Sequence, residues 1–180
     1  MFKWFWKILC VVLCLGAPAH AQNVDDLLDQ LQQAPTPEVA NALVAEIWPL
    51  WLYPDANSDQ RPKMEQALRA MDRNNFAKAD RLLTDIITAA PDYTEAWNKR
   101  ATIRFLAGDF VGSEADIFET LQREPRHFGA ISGLGLINMH LNEYEKALNA
   151  FKHLRTLHPY SRDADEFIPI LNDLLGRQDL

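Results

Sequence analysis

Four of the five histidines, a glycine pair and two arginines near an aspartate are the residues of this chain whose types could do chemistry. His127, His140, His153 and His158 could ligate a metal. A helical metal site asks for two imidazoles four residues apart on one face, and no two of these stand so. The expectation is exposed polar histidines and no metal. Asp55, Asn57 and Asp59 of DANSDQ begin like a calcium loop. Such a loop needs glycine sixth and glutamate twelfth, whereas Gln60 and Gln66 stand there, and a turn rich in Asp and Asn accounts for the stretch. Gly133-Leu134-Gly135 could open a dinucleotide loop, but the third place is Asn138 and no strand precedes it. Gly129 and Gly133 form GxxxG, a spacing that joins helices in lipid, on a segment that also carries Asn138 and His140. Serine, histidine and aspartate occur without an elbow or triad context. No catalytic residue and no cofactor is assigned.

The N-terminus narrows the chemistry further. MFKWFWK carries two lysines and no acid, ILCVVLCLGA is a short apolar run, and Ala19-His20-Ala21 fits a small-x-small cleavage site. Residues 1–21 therefore read as a secretory signal peptide cut before Gln22, the run being short for a membrane span of roughly 20 residues. The periplasm is the expected location, with secretion or a retained leader anchor as alternatives, and no membrane insertion is expected once the leader is cut. Cys10 and Cys14, the only cysteines, lie in that segment, so the remainder has no disulfide, thiolate nucleophile or cysteine ligand. The net charge of −7 disfavours nucleic acid and anionic membrane as partners.

The glycines find their explanation in a period. Pro91, Pro125 and Pro159 are 34 residues apart. At fixed distances before each proline stand Ala79, Ser113 and Ala147, all small, and Phe76, Phe110 and Tyr144, all aromatic. Asn74, Gly108 and Asn142 recur likewise, the residue types that best accept a left-handed backbone at a helix end. Ala67, Ala101 and Gly135 form a further small set. The pattern describes a helical hairpin: one helix ends at Asn or Gly, an aromatic closes the turn, and the second helix ends before a proline that cannot continue it. Small residues on both helices let the backbones approach.

With Leu134, Gly135, Tyr144, Ala147, Phe151 and Pro159 in the third unit, and Trp97, Ala101, Phe110 and Pro125 in the second, the chain resembles the tetratricopeptide repeat family. The first unit is degenerate, with Lys63 and Gln66 where Trp and Leu would stand. The resemblance implies an all-α fold, a right-handed superhelical stack of helix-turn-helix hairpins with flanking capping helices. The units are expected at 60–93, 94–127 and 128–161, after N-terminal helices and a linker at 22–59 and before a capping helix at 162–180.

Outside the units, VDDLLDQLQQA puts Leu27, Leu28 and Leu31 on one stripe. TPEVANALVAEIWPLWL begins with Thr36 as cap and Pro37 in the first turn. Pro49 is expected to kink or end that helix, and Trp48 and Trp51 to cover the exposed side of the first unit. In RDADEFIPILNDLLG, Phe167, Leu171 and Leu174 recur at helical spacing, while Pro169, at about 3 kcal/mol in a helix interior, predicts a bend or a late start.

Arg100 and Arg104 share the inner stripe of the second unit's first helix, and a guanidinium there requires a carboxylate. Asp116 is the partner expected for Arg100, as a structural pair. Stacked hairpins present a concave face. Its expected lining is Arg61, Met64, Leu68 and Met71 in the first unit, and Glu95, Asn98, Lys99, Thr102 and Phe105 in the second. Gly129, Ser132, Leu136, Met139 and His140 line it in the third. Leu68, Met71, Phe105 and Met139 fit packing between hairpins equally well. Together the leader and the resemblance imply a non-enzymatic module of the bacterial cell envelope that binds a protein or peptide, the peptide backbone on Asn98 and a carboxylate on Lys99 or Arg126. The alternative is a structural accessory that assembles through its convex face and terminal helices.

Overall fold

The computed structural model describes residues 19–54 and 59–178. The leader residues 1–18 and Asp55 and Asn57 lie outside them. The described residues form nine helices and no strand: α1 (Ala19–Gln32), α2 (Pro37–Leu52), α3 (Arg61–Asp72), α4 (Phe76–Ala89), α5 (Thr94–Leu106), α6 (Phe110–Arg123), α7 (Phe128–His140), α8 (Tyr144–Leu157) and α9 (Arg162–Gln178). Helices α3–α4, α5–α6 and α7–α8 pair as hairpins, and each hairpin packs on the next.

The three hairpin turns close identically because their sequences repeat. Asn74, Gly108 and Asn142 hold φ of 54°, 81° and 60°. The following N–H then reaches back to the helix: Asn75 to Ala70 at 2.8 Å, Asp109 to Arg104 at 2.9 Å, and Glu143 to Asn138 at 2.8 Å. This closure satisfies carbonyls that the helix end would leave bare. Asn75 and Asp109 then cap the next helix through their side chains.

Inside each hairpin the small residues meet. Ser113 on α6 donates its hydroxyl to the Ala101 carbonyl of α5 at 2.8 Å. In the third hairpin the ring of fully buried Phe151 lies over Gly135, so that a Cβ added there would stand 2.6 Å from Cζ. Gly135→Ala should therefore destabilise by about 1–2 kcal/mol: overpacking costs about 1–3 kcal/mol, and alanine recovers part through helix propensity. Urea unfolding at unchanged m checks it; a midpoint equal to wild type would show that the ring yields freely.

The period continues past the third hairpin. Ala96, Ala130 and Ala164 are all buried at 34-residue spacing, as are Ile103, Ile137 and Leu171. Helix α9 is thus a first helix without a second among the described residues. Pro169 falls where Ala101 and Gly135 face their second helices. Here that side is exposed, so the carbonyl left without its donor faces water. That is why α9 starts at Arg162 and runs through Pro169, correcting the late start expected for it. Helix α2 likewise continues through exposed Pro49 to Leu52 instead of ending there.

Helices α1 and α2 form an arm. Val24, Leu27, Leu28 and Leu31 of α1 and Ala40, Leu43, Ile47 and Trp51 of α2 share one core cluster with Phe128, Ile131, Leu148 and Leu154. Polar ties follow the edge where hairpins join. Arg126 pairs with Asp25 and Asp29, the Tyr160 hydroxyl donates to the Pro35 carbonyl at 2.8 Å, and the Tyr93 hydroxyl donates to the Leu52 carbonyl. Trp51 accordingly stacks on His127 and leans on Phe128, and Trp48 meets both rings edge-on, rather than the pair lying over the first hairpin. The N-terminal turn of α7 offers aromatic surface and a glycine, whereas α3 offers Lys63 and Gln66.

Candidate functional site

Three constellations gather the residues singled out by type and spacing. The first ties two hairpins together. Asp116, buried on α6, receives Arg100 through two bonds, Nε to Oδ2 at 2.8 Å and Nη2 to Oδ1 at 2.7 Å. Arg104 Nη1 reaches the same carboxylate at 2.9 Å. Arg100 Nη1 also donates to Thr84 Oγ1 of α4 at 3.0 Å, and Arg104 Nε lies 3.4 Å from Asp80 on α4. One carboxylate thus organises donors that bridge the first and second hairpins. The fork geometry suits arginine.

The second constellation surrounds Glu95, which is wholly buried in the first turn of α5. Its carboxylate accepts from Asn98 Nδ2 at 3.1 Å to both oxygens and from Lys99 Nζ at 2.9 Å. His127 Nε2 completes the set at 2.9 Å. His127 Nδ1 accepts the Ala130 N–H at 3.1 Å, capping α7. With Nδ1 an acceptor, the ring proton must sit on Nε2 and point at Glu95. Trp51 lies flat on the imidazole, centroids 4.1 Å apart, and Lys99 Nζ stands 5.0 Å over the Trp48 ring. Burial opposes charge on Glu95, but the His127 and Lys99 interactions outweigh it and hold the carboxyl below its ordinary value.

The third constellation is an open crevice of about 150 Å³ between α5 and α7. Asn98, Thr102 and Phe105 form one wall, Gly129, Ser132 and Leu136 the other, with Ser113 and Ile117 of α6 between them. The glycines make the space, since a Cβ on Gly133 would stand 3.1 Å from Ile117 Cδ1. Its polar groups are engaged within the fold. The Thr102 hydroxyl donates to the Asn98 carbonyl at 3.0 Å, the Ser132 hydroxyl donates to Asp163, and Asn98 serves Glu95.

Several expected lining residues stand elsewhere. Met64 is completely buried in the core of the first hairpin and cannot line a groove. Glu95 is likewise sealed from solvent. Lys99 is already paired with Glu95, and Arg126 with the arm's Asp25 and Asp29. Met139 packs against the core cluster shared with the arm. His140 stacks on Phe110 with centroids 5.0 Å apart, beyond the crevice. His127 corrects the expectation of exposed histidines: it is fully buried. The signal for it lay in the period, because Tyr93, His127 and Ser161 share the place just before each first helix. No cluster of potential metal ligands occurs among the described residues.

Known proteins share this architecture. The family model described as tetratricopeptide repeat matches residues 64–126. A TPR repeat-containing protein of Rhizobium etli is 32% identical over 155 residues, covering 86% of this chain and 76% of that protein. Among solved structures, the first TPR domain of Spaghetti (RPAP3), solved with an HSP90 peptide, superposes with a TM-score of 0.62 at 18% identity, over 68% of this chain and 99% of that one. A MamA double mutant gives 0.61 at 14% identity, over 89% and 88%. With the recurrent turns, the paired small residues and the Rhizobium relative all in agreement, the chain belongs to the tetratricopeptide repeat family.

Proposed function

We propose that this protein is a non-enzymatic interaction module of the bacterial cell envelope, exported by its leader to the periplasm, that holds a protein or peptide segment in the crevice between α5 and α7. The observation that carries this reading is the crevice itself, a concave slot between successive first helices that the chain's own side chains leave open. The Spaghetti domain, similar in fold, was solved with a peptide bound, which supports the class of ligand. The chemistry differs from carboxylate capture. Asn98, Lys99, Thr102 and Ser132 already donate within the fold, so the slot offers its ligand the apolar surfaces of Phe105, Leu136 and Ile117.

A specific observation favours a second reading, an accessory subunit that assembles through its convex side. Val111 and Phe118, seven residues apart on α6, are 79% and 60% exposed. That spacing puts them on one helix face. A photo-crosslinker replacing Thr102 is expected to capture a partner in the native envelope fraction, while one replacing Phe118 captures none. Capture from Phe118 alone would replace the groove by the convex face.

A further inference from the structure

We propose that the seat of α1, formed by α2 and α8 with Arg126 at its edge, is a docking surface for an acidic amphipathic helix of a partner protein, and that α1 is its exchangeable occupant. The proposal goes beyond the crevice reading and does not depend on it.

The kind of partner is read from the helix already seated. Helix α1 packs against α2 and α8. Its Val24, Leu27, Leu28 and Leu31 follow the spacing of one helical stripe and are all buried. They share a core cluster with Leu43 and Ile47 of α2 and with Leu148 and Leu154 of α8. Asp25 and Asp29, one turn apart, both reach Arg126, and among the described residues these are the only ion pairs of α1. A helix that matches the seat therefore carries apolar residues at i, i+3, i+4 and i+7, and acids at i+1 and i+5.

Two observations make α1 exchangeable rather than a fixed part of the core. Its ion pairs are open to solvent, with the Asp25 and Asp29 side chains 63% and 65% exposed. Such pairs select a helix more than they hold it. The seam is also unfilled. A cavity of about 580 Å³ opens where the arm meets the joint before α7, and Val24, Asp25, Trp51, Pro125 and Arg126 are among its lining. Trp51 is buried, yet its Nε1–H meets no acceptor in the protein. A closed core leaves neither such a gap nor such a donor. A helix of 14 residues has little stability of its own once it leaves its seat, so its departure is a local opening and not an unfolding of the stack.

The test uses the chain's own α1 sequence as the probe. A fluorescein-labelled peptide of residues 23–34 is titrated into the full chain by anisotropy, beside the same peptide with Asp25→Asn and Asp29→Asn. The chain is taken as wild type and as Asp25→Lys with Asp29→Lys, which weakens the resident helix and leaves the seat intact. The acidic peptide is expected to bind the double variant about tenfold more tightly than the wild type, and about tenfold more tightly than the Asn peptide does, as two solvent-open pairs allow. Adding Arg126→Glu to the double variant should abolish the preference between the peptides. Equal affinity for both chains, no saturable binding by either, or a preference that survives Arg126→Glu overturns the proposal. Amide hydrogen exchange of the wild type decides the matter if the double variant fails to fold. The amides of Leu28 and Leu31 should exchange at least about tenfold faster than those of Gly135 and Ile137, as independent opening of α1 requires. Equal protection of α1 and α7 overturns the proposal.

Discussion

Replacing Asp116 by alanine is expected to lower stability by about 3–5 kcal/mol, the range for breaking a buried ion pair by removing one partner. Two guanidiniums depend on this carboxylate. Arg100 is only 8% exposed and also donates to Thr84, and Arg104 loses its 2.9 Å contact. The penalty arises from the charges left behind. For a domain of this size each kcal/mol moves the midpoint by roughly 2–4 °C, so a fall of roughly 10 °C is expected by circular dichroism. A double variant, Arg100→Met with Asp116→Leu, removes both charges and should recover part of the loss, because a well-packed apolar pair often matches a buried ion pair. An Asp116→Ala protein melting with the wild type would mean that the arginines find water and that the network does not hold the first two hairpins together.

Only the Arg100–Asp116 pair of this network was readable in the sequence, because it obeys the helical period within one hairpin. The share of Arg104 and the contacts to Thr84 and Asp80 of the first hairpin were not. Arg100 and Arg104 share a stripe, and Asp116 follows on the next helix at the distance a short turn dictates. The turns were readable for the same reason: Asn74, Gly108 and Asn142 recur at one spacing, and only a left-handed residue fits there. What the period could not give was the rotation of the stripe. Met64, Asn98 and Ser132 share one register and are all buried or nearly so, while Thr102, one turn further along α5, is exposed. An error of one position in the lining is about 100° of helix, enough to turn a groove residue into a core residue. Nor could periodicity place the arm. The leucine stripe of α1 and the tryptophans of α2 announce that they will be covered, yet nothing local says by what. The receiving surface of His127, Phe128 and Gly129 is assembled from residues about 80 positions away, and its centre, a histidine bonded to Glu95, looks in sequence like an ordinary loop residue.

Glu95→Gln tests that centre and should rank with Asp116→Ala in effect. The carboxylate has three donors aimed at it and no exposure to solvent. An amide offers one oxygen to them and turns its own N–H₂ toward a donor, leaving Lys99 or His127 unmatched, for an expected loss of about 3–5 kcal/mol. The pH dependence separates this charge effect from simple misfit. Since the folded carboxyl titrates below its unfolded value of about 4.3, its contribution is complete above that pH and is lost as pH falls through the folded value. The stability gap between wild type and Glu95→Gln, taken from urea midpoints, should hold steady at neutral pH and narrow on acidification below about pH 4. The arm should report the same event, because Trp51 lies on the His127 ring that Glu95 orients. Tryptophan fluorescence of Glu95→Gln at neutral pH should therefore approach that of the acidified wild type. A gap that stays constant down to acid unfolding would show that the carboxylate contributes shape and not charge, and would detach the arm from the buried charge beneath His127.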